Sequence, residues 1–387
     1  MALITAYWGL DSIIVLTTLV VTVYLYMTRK YNYWKKRGVF ELPPTPIFGN
    51  FSDIMFMKKN PGYFMKDLYD QRKGMSYIGL YLLDKPCLMV CDRELVKNIL
   101  IKDFNYFADR HTSPDTKDRL GYANLFFIKN PAWKTLRAKL TPTFTSGKLK
   151  KMFELMLECG KNLDTHLNSL KLEEFEGDDL VAQAAIFFTA GYETSSTVMA
   201  FSLYELAIHS EIQNRLRREI LDALHETDGK ITYDMVCSLQ YLDMVVSETL
   251  RMYPPLPFLD RLTVETYKMP NSDLVLEKGT PVYISMLGIH YDPEYFSDPE
   301  KYDPERFSEE NKRNIPSCAY IPFGGGPRIC IGARMGLLQT KLGIITILSK
   351  YEVTPCEKTL IPMVLDPKAA LTMPLGGGLH LNIRELH

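Results

Sequence analysis

Ten residues of this chain concentrate its chemistry. Phe323 to Gly332 read Phe-Gly-Gly-Gly-Pro-Arg-Ile-Cys-Ile-Gly, with one cysteine, Cys330, at the end of a glycine-rich loop. Beyond it Met335, Leu338, Leu342 and Ile345 recur at helical spacing, which predicts a helix from Ile331 towards Leu348. A thiol at a helix N-terminus meets the positive end of the dipole and free backbone N–H groups, so its thiolate is favoured. Three glycines keep side chains out of the way of a large flat ligand. Arg328 offers a cation to an acidic group on that ligand. A haem iron held by the Cys330 thiolate accounts for all of these residues. A structural cysteine after a Gly/Pro turn accounts only for the cysteine.

Two further segments carry reactive groups. Ala190-Gly191-Tyr192-Glu193-Thr194-Ser195-Ser196 lies within an apolar helical stretch, Asp178–His209, where glycine costs up to about 1 kcal/mol. An acid beside a hydroxyl suits proton delivery, while a mid-helix threonine bonded back to its own helix is the plain alternative. Glu248 and Arg251 stand three apart on a predicted helix, Tyr233–Met252, where carboxylate and guanidinium share a face. On a surface that pair contributes well under about 1 kcal/mol.

The pattern Phe-x-x-Gly-x-Arg-x-Cys-x-Gly resembles that of the cytochrome P450 family, and the resemblance extends over nearly the whole chain. It implies haem b as cofactor, with Cys330 as axial ligand of the iron and Phe323, Gly326 and Gly332 shaping the loop. Trp133 and Arg137, four apart on one helix, resemble the family's propionate-binding pair, with Arg261 and Arg328 as further partners by position. Thr194 and Glu193 are implied as the proton relay, at a widened helical turn. Glu248, Arg251 and Arg306, the last in Pro304-Glu305-Arg306-Phe307, are implied as a buried charge network bracing the cysteine loop; losing one partner there costs about 3–5 kcal/mol. The runs Leu140–Lys148 and Ala190–Ser196 look most like insect microsomal members. That branch oxidises lipophilic hormones, plant toxins and insecticides with electrons from NADPH-cytochrome P450 reductase, sometimes cytochrome b5. Lys134 and Lys139 are candidates for the reductase's docking face.

The elements that must position these residues are mostly helical. Helical stretches at Leu149–Leu170, Asp178–His209, Glu211–His225 and Tyr233–Met252 outweigh short strand-like runs at Met75–Leu82, Leu88–Cys91, Val264–Tyr267 and Pro281–Ile284. This is an α+β pattern, mainly helical, rather than alternating βαβ units. Pro142 is expected to end the helix that carries Trp133. With 387 residues, 24% charged and a net charge of −1, the chain gives no reason to invoke nucleic acid. Its seven cysteines form no Cys-x-x-Cys pair, which suits a reducing compartment.

Three regions follow. Residues 1–28 read as a membrane anchor: Ser12–Thr28 holds no charge, and its 17 residues reach roughly 25 Å as a helix. Residues 29–48 combine a basic stop-transfer cluster, Arg29, Lys30, Lys35, Lys36 and Arg37, with a hinge at Pro43, Pro44 and Pro46. Residues 49–387 form the catalytic domain, placed on the cytosolic face of the endoplasmic reticulum membrane.

One block is missing. Trp133 and Gly191 are 58 positions apart, an interval longer by on the order of a hundred residues in the family that the sequence resembles. The join falls between about Leu170 and Glu176, so the fold is expected to be internally truncated there. The apolar Ala184–Phe188 helix should then lose most of its cover. A monooxygenase acting on a lipophilic small molecule is one functional reading. The other is a truncated, catalytically inactive product with impaired haem or substrate binding.

Overall fold

The computed structural model describes residues 5, 7–72, 74–115, 117–166 and 178–386. The expected join between Leu170 and Glu176 lies outside them.

The N-terminal apolar run forms a helix, Trp8–Thr28, of 21 residues with a mean hydropathy of 1.9, long and apolar enough to cross a membrane. It includes Asp11, so the helix starts earlier than the uncharged run alone indicates. The connector after it packs onto the body. Arg29 and Lys30 approach Asp84 at 3.8 and 3.6 Å. Trp34 is fully buried, donates its indole N–H to Leu80 O at 2.9 Å, and fills space that only a glycine at position 79 leaves open.

Four strands make the main sheet: β1 (Tyr77–Leu82), β2 (Lys85–Val90), β3 (Phe258–Leu262) and β6 (Pro281–Ser285), in the order β1-β2-β6-β3. Strand β6 is buried along its length, runs parallel to β2 and antiparallel to β3, and so joins an N-terminal strand to a C-terminal one. Its continuous apolar run suits a strand covered on both faces. Two small hairpins, β4 (Tyr267–Lys268) with β5 (Val275–Leu276) and β7 (Tyr351–Pro355) with β8 (Leu381–Glu385), complete the strands.

The helical body has its own apolar core, in which Leu206, Leu216, Ile220, Leu242, Val245, Val246, Ile344 and Ile345 are buried. The long helix Asp178–Ile208 packs on the helix Ala333–Leu348 that follows the cysteine loop. The stretch read as one helix from Tyr233 to Met252 is two, Tyr233–Ser238 and Gln240–Met252, separated at an extended Leu239. Glu219, from the helix Ser210–Glu226, explains the break. Its carboxylate accepts the Tyr241 and Leu242 N–H groups at 2.7 and 2.9 Å, capping the second helix from outside. The Trp133 helix, Ala132–Leu140, stops before Pro142 as its sequence requires.

Candidate active site

The cysteine loop is built from hydrogen bonds and one close backbone approach. Cys330 N–H donates to Phe323 O at 3.0 Å, and Gly324 N–H donates to Ile321 O at 2.9 Å. Gly326 has φ +67°, and a Cβ there would overlap the carbonyl oxygen of Leu100. The neighbouring Leu100 segment by itself thus requires a glycine here, in addition to any room a ligand needs. Gly332 meets no such limit, since a Cβ would find only a Phe144 ring carbon at 3.9 Å.

The helix after the loop starts at Ala333, with Gly332 as its cap, two residues later than expected. Cys330 is exposed, open to solvent on one side and crowded by protein on the others. That crowding raises its thiol pKa, while the Gly332 N–H, Arg137 and Arg110 pull it down. The expected bias towards thiolate is therefore present in three influences but outweighed by desolvation in the polypeptide alone.

The predicted cations converge. Arg328 is buried, lies 4.3 Å over the Trp133 ring, donates to Ile128 O at 3.0 Å and sits 3.8 Å from Asp109. Arg261 on β3 is 1% exposed and donates from one terminal nitrogen to Asp260 O at 2.8 Å. Burial first, then repulsion from Arg110 and Arg328, pushes its pKa down to about 9. Burial with Arg110 beside it does the same to Arg328, also to about 9. Arg137 interacts electrostatically with both Arg328 and Cys330.

Arg110 completes the group and was missed in the sequence. It meets Asp260 at 3.3 Å and lies 3.8 Å over the Phe126 ring. The signal was Asp109-Arg110, a charged dipeptide after the apolar Phe107-Ala108, but a lone charged pair in a loop is ordinarily solvated. Three arginines (110, 261, 328) thus share two carboxylates, Asp109 and Asp260, and Arg137 beside Arg328 brings the surplus to two positive charges. Among the described residues, the Nε atoms of Arg110 and Arg261 are buried without a hydrogen-bond partner. Buried donors left unpaired cost free energy. The cluster therefore fits a ligand that brings two carboxylates beside Cys330, as haem b does.

Glu248, Arg251 and Arg306 stand together in the structure. Glu248 and Arg251, both fully buried, form a bidentate pair with N–O distances of 2.7 and 2.8 Å. Arg306 approaches the same carboxylate at 3.4 Å and donates to Asp298 O at 2.8 Å.

The proton-relay candidates are placed differently. The helix Asp178–Ile208 runs through Gly191 as regular α-helix with no widened turn. Thr194 donates its hydroxyl to Ala190 O, and Ser195 and Ser196 bond back in the same way. A mid-helix hydroxyl takes the carbonyl four residues back whenever nothing else claims it. Ser195 also reaches Gln339 at 3.0 Å, which ties this segment to the helix after the cysteine loop. Among the described residues, no hydrogen bond or ion pair joins Glu193 or Thr194 to Cys330 or the arginines. The outer face of this helix is bare: Phe188 is 74% and Tyr192 62% exposed, their rings stacked 6.0 Å apart. Two surface recesses, one at residues 268–273 and one at Arg37, Asp273, Leu274, Val275 and Glu277, touch none of these side chains.

A glycine-rich cysteine loop, a buried Glu–Arg pair and an arginine cluster on a helix-dominated α+β body together define a haem-thiolate class of protein. The chain belongs to the cytochrome P450 family, whose profile matches residues 41–174 and 167–381. It is similar to "Cytochrome P450 6k1" of Blattella germanica, 34% identical over 95% of this chain and 96% of the relative. It is also similar to "Cytochrome P450 6j1" of the same species, 37% identical over 97% and 98%. "Probable cytochrome P450 6g2" of Drosophila melanogaster is 34% identical over 96% and 98%. This chain is accordingly a cytochrome P450 monooxygenase by family, and the family implies haem. The first of these alignments runs over 502 positions against a chain of 387 residues, leaving at least 115 positions with no residue here. The two profile matches meet at residues 167–174, where the sequence places the missing block.

Proposed function

We propose that this chain binds haem b through Cys330 and inserts one atom of dioxygen into a lipophilic small molecule, a xenobiotic or hormone-like compound. Electrons come from NADPH-cytochrome P450 reductase, with cytochrome b5 as an accessory donor. The arginine cluster is the observation that carries this reading, because its surplus of two positive charges matches two propionates. Haem, when bound, supplies the activation of dioxygen. Arg110, Arg137, Arg261 and Arg328 hold its carboxylates, and Trp133 stacks under Arg328 to fix that guanidinium. Phe323 O and the Gly332 N–H hold the Cys330 backbone and sulfur in place.

Glu193 takes protons from solvent, and Thr194 Oγ1 passes them on. That requires Oγ1 to leave the Ala190 carbonyl by rotation about χ1, an exchange of one hydrogen bond for another. The exposed Lys134 and Lys139 suit a reductase docking face. The helix Trp8–Thr28 and the basic residues after it support anchoring in the endoplasmic reticulum with the body on the cytosolic side.

A second reading has its own support. The bare Phe188–Tyr192 face and the unmatched alignment positions favour a shortened product in which substrate binding is lost. The carbon monoxide difference spectrum of the reduced full chain separates the two. A strongly red-shifted Soret band, absent in Cys330→Ala, supports thiolate-held haem. No band, where an uninterrupted relative prepared alike gives one, leaves the shortened-product reading standing.

A further inference from the structure

His290 has a part in this site that no motif in the sequence signalled. It ends the short helix Met286–His290, its side chain is fully buried, and both ring nitrogens are committed. Nε2 lies 3.0 Å from Ile321 N–H and must accept, because an amide nitrogen only donates. Nδ1 lies 3.1 Å from the Arg251 carbonyl and must therefore be the protonated nitrogen. One neutral tautomer satisfies both. In return, Arg251 donates from a terminal nitrogen to His290 O at 2.9 Å. The ring stacks on Tyr320, with centroids 5.5 Å apart, and the Tyr320 hydroxyl donates to Ser247 O at 3.0 Å.

These contacts form one path. The Glu248–Arg251 pair holds the main chain and carbonyl of His290, and His290 Nε2 holds Ile321. Ile321 O accepts Gly324 N–H at 2.9 Å, and Phe323 O accepts Cys330 N–H at 3.0 Å. Among the described residues, Ile321 N–H has no other hydrogen-bond partner, so the imidazole is its sole tether.

We propose that His290 is a positioning residue that sets the cysteine loop, passing the rigidity of the buried Glu248–Arg251 pair to Cys330 through the Ile321 amide. The inference rests on Cys330 as the haem ligand for its effect on ligation, though not for its effect on the loop. A neutral imidazole suits the role because it offers a donor and an acceptor about two ångströms apart on a rigid ring. Glutamine keeps an acceptor near the Nε2 position; asparagine keeps only the donor near Nδ1.

The test uses the full chain in detergent, with His290→Gln, His290→Asn and His290→Leu. Hydrogen exchange of the haem-free protein is read on peptides covering residues 319–332, with residues 77–90 of β1 and β2 as an internal reference. His290→Asn and His290→Leu are expected to speed exchange of the Ile321 and Cys330 amides about tenfold, with the reference unchanged. His290→Gln restores wild-type protection. After haem is added, the share of the red-shifted carbon monoxide band falls by at least half in the Asn and Leu variants and is kept in Gln.

Wild-type protection in His290→Asn overturns the proposal, and so does equal loss in Gln and Asn, which would mark a packing role only. A wild-type chain that shows the exchange pattern but no red-shifted band sinks the Cys330 ligand reading and leaves the loop role supported. If Asn and Leu unfold globally, 15N-histidine NMR of the wild type decides. An unprotonated Nε2 on His290, coupled to the Ile321 amide, supports the proposal; a protonated Nε2 overturns it.

Discussion

Replacing Arg261 by methionine should make the haem-free chain more stable while weakening its hold on haem. Arg261 is 1% exposed, and burial holds its pKa at about 9, well below the ordinary arginine range. Both values lie above pH 7, so the residue is charged in folded and unfolded chains alike, and the depression is a cost of folding that is fully present at neutral pH. It fades only as pH rises through about 9 towards the ordinary arginine range. At ~1.4 kcal/mol per tenfold change in proton affinity, that cost comes to about 5 kcal/mol as an upper bound. Methionine keeps most of the apolar stem but loses the hydrogen bond to Asp260 O, worth about 1 kcal/mol. Allowing for relaxation around a charged site, a net gain of about 2–3 kcal/mol is the expected result. Urea unfolding of the haem-free chain at pH 7 and low salt, followed by near-ultraviolet circular dichroism, measures it. Hemin titration should then show about ten- to a hundredfold weaker binding, the loss of one charge-assisted bond. A variant less stable than wild type by 1 kcal/mol or more refutes the idea that this cluster is over-charged without its ligand.

Three other outcomes follow from the same geometry. Arg251→Met strands the fully buried Glu248 carboxylate and should cost about 3–5 kcal/mol in unfolding free energy, read by urea titration. Burial first, then the Arg251 charge, holds the His290 pKa at about 3, so the folded chain keeps the imidazole neutral down to that pH while the unfolded chain takes up a proton below about 6.5, and stability falls through that window. About 2 kcal/mol of stability should therefore disappear between pH 7 and pH 5, and His290→Gln should remove that part of the pH dependence. Phe188→Ser removes an exposed ring, so unfolding free energy should move by less than about 0.5 kcal/mol while light scattering shows reduced self-association.

What the sequence disclosed was chemistry carried by local pattern. The Glu248–Arg251 pair, the Pro142 stop and the cysteine loop each depend on residues within a few positions, and each is found where the pattern puts it. What it hid depends on partners distant in the chain. Gly326 reads as room for a ligand, yet Leu100 is what crowds it. Leu239 breaks a helix because Glu219, twenty residues away, caps its second half. Arg110 becomes a site residue only when β3 brings Asp260 and Arg261 beside it. Thr194 sits in the right segment, but its hydroxyl follows the local rule for helices rather than the role that the resemblance implies.

The shortened interval divides the molecule unevenly. The sheet, the Glu248–Arg251 pair, His290, the cysteine loop and the arginine cluster draw their contacts from residues before 140 and after 240, on either side of the join. The sheet itself depends on that long-range closure, since β2 pairs with β6. The half of the site that holds a cofactor can thus form without the absent positions. The helix Asp178–Ile208 is different: Ser195 and Met199 face Gln339 and Gly343 on the helix after the loop, while Phe188 and Tyr192 face solvent. One side of it is committed to the cofactor-binding half and the other is exposed at Phe188 and Tyr192. Haem binding and substrate turnover are therefore separable in this chain, and a red-shifted carbon monoxide band without product formation is the combined outcome that this division predicts. Equal loss of both would show that the cofactor half needs the missing cover after all.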